Sequence, residues 1–141
     1  MSNIKIVEGG IFLDSRGKIT HVNSLDMEDI KRFYVIHHDN TDVIRPWHAH
    51  QHERKWFYCI KGAFTLALVK VDDWDIPSED LQPEVFHLTS AESRVVCVPE
   101  GYANGLKAEI EDSIMMVYSN KILDEAVKDS WRYDSHRWME W

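Results

Sequence analysis

The sequence predicts an all-β chain folded as one sandwich or barrel, and three observations carry that prediction. Short runs of aromatic and β-branched residues recur along the chain, as in Phe33–His37, Trp56–Ile60 and Arg94–Val98. Turn residues separate them, above all Lys61-Gly62 and Pro99-Glu100-Gly101. The 141 residues contain no repeat, linker or low-complexity stretch, so residues 1–141 are expected to form a single domain with one sizeable core.

The elements follow in order. Asn3–Val7 alternates in polarity and reads as a strand, and Leu25–Lys31 as a helical turn. Phe33–His37 is the next strand. Trp56–Ile60 runs through Lys61-Gly62 into a long second strand, Ala63–Val71, so an antiparallel hairpin is expected there. The segment Val71–Glu84 is acidic and carries Pro77 and Pro83, which fits an exposed loop. Val85–Leu88, Arg94–Val98 and Ile114–Tyr118 complete the strands. Ala126, Val127 and Trp131 are spaced for a short C-terminal helix within Asp124–Trp131. Trp131, Trp138 and Trp141 crowd the end of the chain, which implies a terminal segment that packs back on the barrel or on a partner subunit.

Composition narrows the function classes. A net charge of −8 argues against a general nucleic-acid binder, which needs a basic surface, although a few local Arg and Lys suffice for one small anionic ligand. No apolar run approaches the roughly 18 residues of a membrane span. The start, MSNIKIVEGG, lacks the pattern of a signal peptide, so a cytoplasmic location and no membrane partner are expected. Cys59 and Cys97 sit in apolar strand-like runs without a second ligand at metal spacing, and read as buried free thiols.

The densest chemistry is Arg45-Pro46-Trp47-His48-Ala49-His50-Gln51-His52. On a strand, His48, His50 and His52 share one face because the side-chain period is two. Three imidazoles on one face point to metal binding or to proton transfer. The spacing resembles the first motif of the cupins: H-x-H, an acid at a fixed distance, then Gly62. The acid is Lys55 in this chain. The second cupin motif, P-x-G-x-x-H, matches Pro99-Glu100-Gly101-Tyr102-Ala103-Asn104 with asparagine in place of histidine. The resemblance implies a single-domain cupin barrel, a double-stranded β-helix or jelly-roll, with a short C-terminal helix. Two of the four usual metal ligands are replaced, and an ammonium at a ligand position repels a cation, so no metal and no other cofactor is expected.

Further pieces resemble the metal-free cupins that act on nucleotide-linked 4-keto sugars. The pattern is similar to the dTDP-4-dehydrorhamnose 3,5-epimerases and to the related sugar 3,4-ketoisomerases of WxcM-like type. Phe12-Leu13-Asp14-Ser15-Arg16-Gly17 looks like F-x-D-x-R-G, whose arginine contacts the diphosphate. Arg45-Pro46-Trp47-His48 looks like the R-G-L-H that carries the catalytic histidine, and Lys55–Phe64 like a strand whose lysine lies in the active site. Val98–Leu106, Met116-Val117-Tyr118 and Trp131-Arg132-Tyr133-Asp134 match in the same order. The chain departs at Asn104, where the epimerases carry a second histidine, at Pro46, and in lacking the later segment that supplies a carboxylate to the catalytic histidine. The His48-Ala49-His50 triplet and the short C-terminus fit a ketoisomerase better.

The resemblance implies an isomerase. A ketone at C4 of a hexose acidifies the hydrogens at C3 and C5, and removing one leaves an enolate. His48 is the expected base, His50 its helper and Tyr118 the second acid, with Lys55 stabilising the enolate oxygen. Arg16 and Arg45 are expected to hold the diphosphate, with Asn104, Tyr34 and Trp47 as further substrate contacts and His52 a bystander. The implied partners are a nucleotide-sugar, most simply a dTDP-linked 4-keto-6-deoxyhexose, and a second copy in a homodimer that often exchanges an N-terminal strand. Two other readings stay open: a non-catalytic sugar- or nucleotide-binding cupin, and a metal-dependent cupin using His48, His50 and His52.

Overall fold

In a computed structural model, which describes residues 2–141, the chain folds into twelve strands and one helical segment. The strands are β1 (Lys5–Glu8), β2 (Gly10–Asp14), β3 (Gly17–His21), β4 (Arg32–His38), β5 (His48–His50), β6 (Lys55–Lys61), β7 (Ala63–Lys70), β8 (Glu84–Thr89), β9 (Arg94–Val98), β10 (Tyr102–Ala108), β11 (Ser113–Ser119) and β12 (Trp131–Arg132). Helix α1 (Leu123–Ala126) continues as a 3-10 turn over Val127–Asp129.

Two five-stranded antiparallel sheets form, one in the order β1-β9-β6-β11-β4 and the other in the order β12-β5-β10-β7-β8. They share one core of Phe57, Met115, Val117 and Val96 from the first sheet and Phe64, Leu66, Leu68 and Leu106 from the second. The period of two explains how β7 serves two cores. Phe64, Leu66 and Leu68 face the first sheet, while Ala67 and Val69 face a second cluster with Trp47, Ala49 and Ala103. Trp131, Tyr133, Trp138 and Trp141 cover that second cluster, so the C-terminal tryptophans pack back on the barrel. At Gly105 an added Cβ would lie 2.6 Å from the Trp141 ring, so only glycine lets the terminal indole seat so close to β10.

The β6–β7 connection is the tight turn the sequence implies. Gly62 has a φ of 76°, and a side chain there would also strike Ser113 Oγ at 2.2 Å. Within the expected helical turn over Leu25–Lys31 the chain makes one isolated turn at Glu28-Asp29, closed by Ile30 N–H to Met27 O at 3.1 Å. Strands β2, β3, β10 and β12 had no strand reading from periodicity, and Trp131, expected at the end of the C-terminal helix, instead opens β12 because the helical segment ends at Asp129. Among the described residues β2 and β3 pair only with each other, as a ribbon whose Phe12, Leu13 and Ile19 are exposed by 53, 71 and 59 %. No helix among the described residues is long and apolar enough to cross a membrane.

Candidate active site

Strand parity builds the site. On β5, Ala49 enters the second cluster, so His48 and His50 on either side of it face between the sheets. Their rings lie 4.3 Å apart at 56°. The chain bends at Gln51-His52, so His52 leaves the strand and is exposed. On the opposite sheet, Ser119 of β11 stands in register with Arg32 of β4 and Lys55 of β6, which makes one inward row; Tyr34 follows two residues along β4. Arg32 and Lys55 lie over the Tyr34 ring, at 5.2 and 5.6 Å from its centre.

The loop between the sheets carries Glu53, whose side chain is fully buried. Its Oε2 accepts hydrogen bonds from Arg32 Nη2 at 3.0 Å and from Ser119 Oγ. Its Oε1 lies 3.2 Å from His50 Nδ1 and 4.0 Å from Lys55 Nζ, and receives no directed hydrogen bond. The His50 Nδ1–H is aimed instead at the backbone carbonyl of Asp129, at 2.7 Å. That bond leaves the other ring nitrogen, Nε2, buried, unprotonated and without a partner.

The 3-10 turn holds this arrangement together. The Asp129 carboxylate accepts the backbone N–H groups of Gln51, His52 and Glu53 at 2.8, 2.8 and 3.0 Å. The next residue places Ser130 Oγ 2.8 Å from His48 Nε2. Together with Leu123, Ala126, Val127 and Arg132 these groups enclose a pocket of about 370 Å³.

The electrostatics follow from burial and from the local excess of cations. His48 is pushed down to about 3, first by burial, then by His50, Lys55 and Arg132, with Glu53 opposing. His50 is pushed down to about 4, first by burial and then by Lys55, with the Asp129 carbonyl and carboxylate opposing and Arg32 adding to the fall. Both imidazoles are therefore neutral near pH 7 and able to accept a proton. Arg32, Lys55 and Arg132 face the pocket against the single carboxylate of Glu53.

Of the residues singled out in the sequence, His48, His50, Lys55 and Tyr34 line this pocket and five do not. Tyr118 is corrected: Met115, Val117 and Ser119 point inward along β11, so Tyr118 points outward and packs edge-on against Phe33 at 6.2 Å. Arg16 sits at the tip of the exposed β2–β3 ribbon, paired with Asp14 at 2.5 Å. Arg45 is turned to His38, its Nε donating to Nε2 at 2.8 Å. Trp47 is buried among the C-terminal aromatics, and its Nε1–H donates to Arg137 O. Asn104 is in register with His48 on the inner face, next to the pocket but outside its lining. Sequence reasoning missed Arg32, Glu53, Asp129, Ser130 and Arg132. Parity along β4 from Tyr34 would have flagged Arg32; the others depend on a loop path and on a terminal segment that periodicity does not place. Among the described residues no three His, Cys, Asp or Glu side chains are grouped to hold an ion.

A family model described as FdtA, WxcM-like, C-terminal, matches residues 2–137. No curated protein matches the chain. A histidine-to-asparagine variant of the 3,4-ketoisomerase QdtA from Thermoanaerobacterium thermosaccharolyticum, solved with TDP-4-keto-6-deoxyglucose, superposes with a TM-score of 0.73 at 19% identity, over 94% of this chain and 89% of that one. The dTDP-4-dehydrorhamnose 3,5-epimerase of Bacillus anthracis, with TDP and PPi bound, gives 0.79 at 18%, over 99% and 85%. The TDP-quinovose 3,4-ketoisomerase WlaRB of Campylobacter jejuni gives 0.72 at 17%, over 94% and 95%. These likenesses show the fold, a cupin-like jelly-roll.

Proposed function

The chain belongs to the WxcM-like family that the FdtA model describes, and on that premise we propose that it is a 3,4-ketoisomerase of a nucleoside-diphosphate-linked 4-keto-6-deoxyhexose. The observation that carries the reading is the pair of neutral imidazoles on one wall, 4.3 Å apart, facing a buried ammonium on the other. A ketoisomerase moves one proton between adjacent carbons, which needs acid–base groups on one face of the sugar and a cation at the oxygens.

His50 is the better base, because the Asp129 carbonyl fixes its Nδ1–H and leaves Nε2 free. His48, whose Nε2 is engaged by Ser130, is the helper; this reverses the roles assigned from the motif. In the step, His50 Nε2 takes the C3 proton and the C3–H electrons form the C3–C4 double bond. The carbonyl pair moves to O4, where Lys55 stabilises the enolate. The proton carried by His50 then returns to C4, and the O3 hydroxyl proton passes to O4, leaving a ketone at C3. Arg32 and Arg132 supply the positive charge for a diphosphate. Arg16 lies too far out on the ribbon to serve its own subunit in the same way, but an exposed apolar ribbon suits insertion into a second copy, where Arg16 would reach the partner's substrate.

One observation favours a second reading. Tyr34 faces the pocket from the sheet opposite the histidines, which supports it as the second acid that a 3,5-epimerase needs. Incubation with dTDP-4-keto-6-deoxyglucose in deuterated water separates the two. A ketoisomerase moves the carbonyl to C3, and C4 receives the hydrogen from C3 or, where the imidazolium exchanges with solvent first, deuterium; an epimerase leaves the ketone at C4 and labels C3 and C5. Tight binding of the nucleotide-sugar with the carbonyl left at C4 and no exchange at any carbon would make the chain a non-catalytic binding cupin and refute both.

A further inference from the structure

The depressed histidines pose a problem that the buried loop carboxylate answers. A base whose protonation is suppressed by burial and by two nearby cations is poorly suited to take a proton from carbon. The charged and titratable groups around His50 are Arg32 from β4, His48 from β5, Lys55 from β6, Asp129 from the 3-10 turn, Arg132 from β12 and Glu53 from the loop. Of the two carboxylates, Asp129 is already committed to three backbone N–H groups. Glu53 is committed through one oxygen only. Its Oε2 is anchored by Arg32 and Ser119, and its buried Oε1 has no hydrogen bond and stands 3.2 Å from His50 Nδ1.

We propose that Glu53 is a positioning residue for the reaction, acting through His50: its free oxygen is the counter-charge against which His50 becomes an imidazolium. The argument is one of differential stabilisation. Before proton transfer the His50 ring is neutral and Glu53 gains little from it. After transfer a full positive charge sits against Oε1, in a buried site where water screens poorly. Arg32 and Ser119 hold the carboxylate in place beforehand, so no reorganisation is needed at the moment of transfer. The Asp129 carbonyl sets the tautomer and Glu53 supplies the charge.

The inference rests on the isomerase reading, and the test keeps the two apart. Purified wild-type protein, E53Q and E53D are compared on dTDP-4-keto-6-deoxyglucose for turnover, KM and the acid limb of the pH–rate profile. Without substrate, NMR follows the protonation of His50. E53Q is expected to lose about 10–100-fold in turnover with KM within about threefold, and its acid limb should move to lower pH, because the imidazolium has lost its partner. E53D keeps the charge but draws it back, so its turnover and limb should fall between those of the other two. A purely structural role would lower the folded fraction and leave the acid limb where it was. An unshifted limb in E53Q, or E53D identical to wild type, overturns the role of Glu53. If wild-type protein neither isomerises nor exchanges the sugar, the isomerase reading falls instead. The NMR comparison then still decides about Glu53: a lower His50 midpoint in E53Q supports the pairing, and an equal midpoint overturns it. Should E53Q fail to fold, E53D carries the same readouts.

Discussion

Removing the Asp129 carboxylate is the most direct perturbation of the site's scaffold. In Asp129→Ala three backbone N–H groups, those of Gln51, His52 and Glu53, lose a charged acceptor. Hydrogen bonds to a charged group contribute about 1.5–3 kcal/mol each, but the three losses are not equal. His52 is exposed and Gln51 partly so, and their amides regain water. Glu53 is buried, and its N–H would be left unpaired at close to the full desolvation cost. The expected loss is therefore about 3–5 kcal/mol. Asp129→Asn keeps one oxygen and should cost about half as much, because an amide nitrogen then faces a backbone N–H. Urea unfolding at fixed protein concentration measures both. Turnover should fall as well, since the backbone carbonyl that orients His50 belongs to the same residue. A loss below about 1 kcal/mol for the alanine variant would refute the claim that this carboxylate anchors the loop.

Other outcomes follow from the same geometry. Lys55→Met removes the proposed enolate cation and should lower turnover about 10²–10³-fold; because Lys55 also depresses His50, the acid limb of the residual activity should move to higher pH, and an unchanged limb would count against that coupling. His50 stays neutral in the folded chain down to about pH 4 but takes a proton near 6.5 when unfolded, so it withdraws stability as pH falls between those values, by about 3 kcal/mol in all; urea melts at pH 7 and 4.5 should show this slope reduced in His50→Gln. If the apolar ribbon inserts into a second copy, Leu13→Asp should convert a dimer to a monomer in sedimentation, and equal masses for the two proteins would remove the ribbon from the interface.

The barrel was legible in the sequence because alternation is a local signal. Trp56–Ile60, Ala63–Val71 and Arg94–Val98 each bury one face in the main core, and each reads as a strand on its own. The β2–β3 ribbon lacks that signal, since its residues are exposed on both faces and nothing in the chain selects a side. The candidate site was legible where it lies on strands: His48 and His50 flank Ala49, and Lys55 opens β6. Tyr118 misled for the same reason that the others succeeded. The motif assigned it a role, while the alternation of Met115, Val117 and Ser119 assigned its side chain to the outside.

What the sequence hid is the charge balance, because the groups that set it come from four separate segments. Arg32 and Lys55 are brought into one row by Ser119, the register residue between them on β11. Glu53 reaches that row only because Asp129, 76 residues away along the chain, bends the loop inward. The lysine in the position of a cupin metal ligand thus has a definite surrounding: an aromatic face beneath it, a carboxylate 4.0 Å away and two imidazoles across the pocket. Set beside Glu53 and over Tyr34, the Lys55 ammonium is held in place, and a fixed positive charge is what an enolate oxygen requires. The carboxylate beside Lys55 also stands 3.2 Å from His50, where it can meet the imidazolium, which is why one substitution at Glu53 is expected to disturb proton transfer more than binding.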